Sequence, residues 1–154
     1  RRHLMKVNTS RFGKLDVEEE SLIRLNSGMV GFPHDLEFAW VPHPTSPAIA
    51  WLQSIQNPAL AFPLYNGALV DPSYPDLEIE KIAEQAGIQF QDREELALMV
   101  VISAGSDRAP LLNLMAPVLI NAQSREGAQV VLTHSKFSTI TLEAPEQELE
   151  RGTA

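Results

Sequence analysis

The chain has 154 residues, no cysteine, 44% hydrophobic and 21% charged residues, and a formal net charge of −8. That length suits one domain with a real core, and the composition is globular rather than disordered or fibrous. The absence of thiols excludes a disulfide framework, a cysteine nucleophile and a cysteine-ligated zinc site, and it fits a reducing compartment.

In chain order, Arg1-Arg2-His3-Leu4-Met5 is basic, but the following Lys6-Val7-Asn8-Thr9-Ser10-Arg11 is no apolar signal core. Met5 is one candidate for the natural start. No apolar run approaches the roughly 18 residues of a membrane span, so a cytoplasmic protein is expected. Lys6 to Phe12 and Lys14 to Val17, on either side of Gly13, predict an opening hairpin. Leu22 to Leu25 is a short strand running into the turn Asn26-Ser27-Gly28. Leu36 to Val41 and Ile49 to Ser54 are aromatic or β-branched strands. The loop between them, Pro42 to Pro47, holds three prolines and cannot be helix interior. Leu60 to Tyr65 reads as a further strand, with Pro63 implying an edge or a bulge.

Leu77 to Ala86 breaks the pattern. Ile79, Ile82, Ala83 and Ala86 recur at helical spacing, so an amphipathic helix is expected, with Asp76 as N-cap and Gly87 as C-terminal cap. Leu96 to Ser103 is the most apolar run and reads as a central buried strand. Leu111 to Met115, Val118 to Asn121 and Gln129 to Thr133 complete the set, the last two joined by a turn at Ser124 to Gly127. The expected fold is mainly β: a single compact antiparallel β-barrel or sandwich-like domain over residues 5–142, with one or two short helices. Residues 143–154 are expected to form an acidic, disordered tail.

The charge is localised. Residues 71 to 95 hold eight acids against Lys81 and Arg93, a local balance of −6. The tail from Glu143 holds four glutamates against Arg151, a further −3, leaving +1 for the rest. A phosphate backbone would be repelled, so direct nucleic-acid binding is disfavoured and a basic protein is the expected partner. A merely solvated helix face would give the same pattern.

Catalytic chemistry is not in view. The histidines (His3, His34, His43 and His134) are scattered without metal-ligand spacing, and His43 is expected to be a solvated side chain in its proline loop. No serine stands in a Gly-x-Ser-x-Gly elbow, and Gly28-Met29-Val30-Gly31 lacks the lysine of a phosphate loop. Glu94-Glu95, or Asp71 with Asp76, could in principle serve as acid and base, yet their surroundings are polar. Trp40 and Trp51 fall in strands and are expected in the core, with a binding groove as the alternative. No cofactor or metal is expected.

Five stretches in register resemble the FliW family. They are Leu25-Asn26-Ser27-Gly28-Met29-Val30-Gly31-Phe32; Trp51 to Phe62 with its Leu-Gln-Ser and Pro-x-Leu-x-Phe pieces; and Asp71-Pro72 with Tyr74-Pro75-Asp76-Leu77. The others are Asn113-Leu114-Met115-Ala116-Pro117-Val118-Leu119-Ile120-Asn121, and Gly127 to Leu132 followed by Ser135-Lys136-Phe137. Phe137 stands where the family usually has Tyr. Physically, Ala116-Pro117 reads as a rigid step between two strands, and Asn113 and Asn121 as side chains satisfying main chain at a bend.

The resemblance implies a cytoplasmic, non-enzymatic flagellar assembly factor, monomeric when free. It would bind flagellin and the RNA-binding translational repressor CsrA, controlling flagellin synthesis by exchange between them. A β-barrel adaptor, or a flagellin chaperone without the CsrA arm, is the alternative. Asp71, Asp76, Glu78, Glu80 and Glu84 are the expected contacts for the basic regulator, and an apolar patch is expected for flagellin.

Overall fold

In the computed structural model, the described residues are 3–75, 77–104, 109–133, 137 and 139–141. Ten strands run in chain order: β1 (Leu4–Thr9), β2 (Gly13–Glu18), β3 (Ile23–Leu25), β4 (Glu37–Pro42), β5 (Ile49–Ser54), β6 (Ala61–Asn66), β7 (Leu96–Ser103), β8 (Leu111–Asn121), β9 (Glu126–Gln129) and β10 (Thr139–Thr141). One helix, α1 (Ile79–Ala86), lies between β6 and β7, and short 3-10 turns occupy Glu19–Ser21, Gly67–Leu69 and Arg93–Glu95.

The large sheet closes on itself. Its order is β10-β8-β7-β6-β5-β4-β3-β9, and β9 also pairs with β8, so seven strands make a ring with β10 attached outside it. Every pairing is antiparallel except the seam between β3 and β9, where Arg24 and Leu25 lie opposite Glu126 and Gly127. Closure leaves few free strand edges, which is how such barrels avoid edge-to-edge association. Of the expected barrel or sandwich, a barrel is what forms, antiparallel but for that seam.

Both faces of the sheet are buried along β5 and over much of β7 and β8, which is why β7 reads as an apolar run. Inside the ring, Ile23, Leu25, Phe38, Leu52, Leu64, Met99, Val118 and Ile120 meet. On the outer face, Ile49, Trp51, Leu98, Val100, Ile102, Leu112, Leu114 and Leu119 pack under Ile82 and Ala83 of α1, with Tyr74 and Ile88. All six residues of β5 are buried. The β1–β2 hairpin stands apart from the ring and docks through Phe12, whose ring meets Trp51 edge-on at 5.5 Å.

Pro63 sits where its missing N–H costs little. The β6–β7 ladder starts only at Leu64↔Val101, so Pro63 faces Trp51 on β5 but lies beyond the paired part of β7.

Several expectations are corrected. The two strands expected over Leu111 to Asn121 are one strand, β8. Its bend falls where the register with β7 jumps between Met99↔Val118 and Val101↔Asn113, so Ala116-Pro117 kinks a strand instead of ending it. The last hairpin turns at residues 122–125, earlier than expected. The Asn121 Oδ1 accepts from the Gln123 and Ser124 amides, and Arg125 takes a positive φ of 65°. Gly127 is therefore a strand residue; a Cβ there would lie 2.8 Å from the Leu119 carbonyl oxygen. The helix begins at Ile79, after an extended Glu78, and Gly87 ends it at φ 73° as expected. Asp76, expected as its N-cap, and the tail at 143–154 lie outside the described residues.

Candidate partner-binding surface

The acidic segment forms two short pieces that flank a groove. After β6 the chain leaves the sheet in the 3-10 turn Gly67–Leu69, which the Asn66 side chain caps by accepting from the Ala68 amide. It then runs through Asp71 to Leu77 and enters α1. Tyr74 pins this loop, being 4% exposed with its hydroxyl donating to the Leu114 carbonyl at 2.9 Å. Between turn, loop and β7 lies an open groove of about 620 Å³, lined by residues that include Gly67, Ala68, Pro72, Pro75, Glu78 and Arg93.

The described acids are placed unevenly. Asp71 is exposed and precedes the groove-lining Pro72, and its carboxylate accepts from the amide and hydroxyl of Ser73. Glu78 is exposed and lines the groove. Glu80 is half-buried and reaches Arg93 at 3.8 Å, a long ion pair. Its Oε1 is buried and accepts no hydrogen bond from the described residues. Glu84 is exposed a turn further along α1, where Lys81 and Gln85 are its exposed neighbours. Of the described acids, Glu78 therefore lines the groove, Asp71 precedes the lining residue Pro72, Glu80 pairs with the lining residue Arg93, and Glu84 lies further along α1.

The other candidates resolve into structure. Glu95 accepts from the Gln91 amide and the Asn121 side chain, so it fastens the chain after α1 to the end of β8. The Asn113 Oδ1 accepts from the Met115 amide at the bend of β8. Trp51 is buried in the core, whereas Trp40 is half-buried. His43 is not a solvated side chain. It is 6% exposed, stacked on Trp51 at 5.7 Å with the rings 13° apart, and its Nδ1 accepts from the Ser46 and Thr45 amides. A proline-rich loop must satisfy its amides somewhere, and an imidazole nitrogen three residues back does so here. Among the described residues no group of three His, Cys, Asp or Glu is placed to hold a metal.

A second surface was not named by residue from sequence. Val30, Met115 and Val131 are exposed apolar side chains. The Gln129 amide joins the main chain at Val30 to that at Ala116, accepting from the Val30 N–H at 2.7 Å and donating to the Ala116 carbonyl at 2.9 Å, and the Leu132 amide donates to the Met115 carbonyl. Phe32, 38% exposed, packs edge-on against Phe62. Isolated exposed apolar residues carry no signal in sequence; only the fold shows which of them stay exposed.

The ring of strands with α1 on its outer face defines a small closed β-barrel protein whose distinguishing features lie on its surface. A sequence model of the FliW protein family matches residues 6–142. The flagellar assembly factor FliW of Heliobacterium modesticaldum is 36% identical over 136 residues, covering 88% of each chain. That of Syntrophus aciditrophicus is 33% identical over 135 residues, covering 86% of this chain and 84% of the relative. A crystal structure of the flagellar assembly factor FliW superposes with a TM-score of 0.74 at 28% identity, covering 90% of this chain and 95% of that one. The chain belongs to the FliW family of flagellar assembly factors. Among the described residues no helix is long and apolar enough to cross a membrane.

Proposed function

We propose that this chain works in the cytoplasm as a partner-exchange factor, with residues 5–142 binding either flagellin or a CsrA-type RNA-binding repressor. The observation that carries this reading is the pair of unlike surfaces meeting at α1. The acidic groove and the exposed side of α1, with Asp71, Glu78, Glu80 and Glu84, suit a basic regulator. The exposed apolar side chains of Val30, Phe32, Met115 and Val131 suit a subunit captured before export. The two abut, because the Gln85 side chain of α1 donates to the Val131 carbonyl at 3.5 Å. A partner spread over one surface meets the rim of the other, which is what mutual exclusion requires. Two competing affinities suffice, and no catalytic step or cofactor is invoked.

Calorimetric titration of the full chain with cognate flagellin, with the cognate CsrA-type repressor, and with each in the presence of the other tests the proposal. Binding to both, each displacing the other, is the expected result. A ternary complex would refute exchange, and flagellin binding alone would leave a flagellin chaperone without a regulatory arm.

A further inference from the structure

The groove beside the acidic loop follows the edge of a strand. Leu96, Ala97 and Leu98 all line it. Successive side chains of a strand point to opposite faces, so three consecutive residues border one groove only when it runs along the strand's edge. The sheet register agrees. Along β7, the residues from Met99 to Val101 pair with β6, whereas Leu96 to Leu98 pair with β8 alone. β6 ends at Asn66, and the chain swings away into the 3-10 turn at Gly67–Leu69. A Cβ on Gly67 would lie 2.7 Å from the Leu98 carbonyl oxygen, so the departure starts beside Leu98 and opens towards Leu96. The barrel that is otherwise closed thus carries a half-edge, walled by Pro72, Pro75, Leu77 and Ile79.

The charges around it select an occupant. Glu78 lines the wall and Asp71 is next in the chain to the lining residue Pro72, both acids being exposed. The cation in the lining, Arg93, is already engaged by Glu80. Exposed strand edges recruit extended segments through main-chain hydrogen bonds, and the flanking side chains set the preference.

We infer that the half-edge of β7 at Leu96–Leu98 is a docking groove for an extended, lysine- or arginine-bearing segment of a partner protein, which adds to the barrel as a short strand. The inference rests on the reading that the acidic face receives a basic protein, and it specifies how. The segment's main chain pairs along Leu96–Leu98 and its cationic side chains reach Glu78 and Asp71. Proline in the opposite wall offers no N–H at Pro72 and Pro75, which leaves β7 as the strand to be extended.

The test uses the full chain and the cognate CsrA-type repressor as probe. Ala68 lines the groove and is exposed, so Ala68→Trp fills the groove without removing a buried contact. Glu84→Lys changes the charge of the acidic face outside the groove. The expected result is a loss of affinity of about tenfold or more for Ala68→Trp, as for obstructing the centre of an interface. A smaller, salt-dependent loss is expected for Glu84→Lys, and hydrogen exchange at the 96–98 amides should slow when wild type binds the probe. If Glu84→Lys weakens binding and Ala68→Trp does not, the groove is refuted while the acidic-face reading survives. If Ala68→Trp weakens binding but the 96–98 amides exchange at an unchanged rate, strand addition is refuted. If neither substitution matters, both readings fall.

Discussion

Tyr74 and Leu114 are joined across forty positions of sequence by a hydrogen bond from the phenol to the main-chain carbonyl, 2.9 Å long and buried. Leu114 lies at the bend of β8, where the register with β7 jumps. The bond therefore clamps the acidic loop to the least regular part of the barrel, and it sets where Asp71 and Glu78 stand.

Replacing Tyr74 by Phe removes the donor and keeps the ring. The carbonyl loses a buried partner, which costs about 1 to 2 kcal/mol. A lower urea midpoint with an unchanged denaturant slope is the expected signature. Affinity for the repressor should fall as well, because the loop that carries Asp71 loses its anchor.

His43 offers a second test, because it does two things at once. Its ring stacks on Trp51, and its Nδ1 holds the Thr45 and Ser46 amides. His43→Ala loses both and should destabilise by about 2 to 3 kcal/mol. His43→Asn places an amide oxygen near the position of Nδ1 and should recover part of that loss. Equal destabilisation by the two variants, measured by chemical denaturation, would show that the acceptor role contributes nothing.

Gly127 sits on the β9 strand that closes the ring. A Cβ there would meet the Leu119 carbonyl oxygen at 2.8 Å and Leu25 Cδ2 at 3.0 Å. Neither main chain nor a fully buried leucine yields easily, so Gly127→Ala should cost about 1 to 3 kcal/mol as overpacking. The seam between β3 and β9 should open first, seen as faster amide exchange at Arg24 and Asn26, which donate to the Arg125 and Gly127 carbonyls.

Charge reversal at Glu78 and Glu84 together should leave stability within about 0.5 kcal/mol, since both side chains are exposed. It should slow association with the repressor, and the deficit should shrink as salt screens the field. An unchanged association rate at low salt would remove these two residues from the proposed contact.

Much of this architecture was legible in the chain. Ile49–Ser54 and Leu96–Ser103 are strands with the boundaries read from their apolar runs, and Gly87 caps the helix that the 3.6-residue period announced. These are local properties: side-chain periodicity, β-branching and the freedom of a glycine. The misreadings share one cause. His43 read as solvated because its neighbours in sequence are polar and proline-rich, yet Trp51 comes to it from the next strand. Gly127 read as a turn residue, yet it is small because β8 passes over it. Pro117 read as a break, yet pairing with β7 and β9 carries the strand through.

The candidate surfaces divide in the same way. A concentration of acids between residues 71 and 95 is a property of composition, so the sequence by itself determined that this segment carries a net negative charge. Family membership, too, is carried by short motifs in order. Only the tertiary structure decided that Glu80 turns inward to Arg93 while Glu78 faces a groove, and that β6 leaves β7 half-edged beside it. It also decided that Val30 and Ala116, far apart in the chain, are joined through the Gln129 side chain. The physical reason is that charge and periodicity are summed along the chain, whereas a surface is assembled by long-range strand pairing, which brings together residues a hundred positions apart.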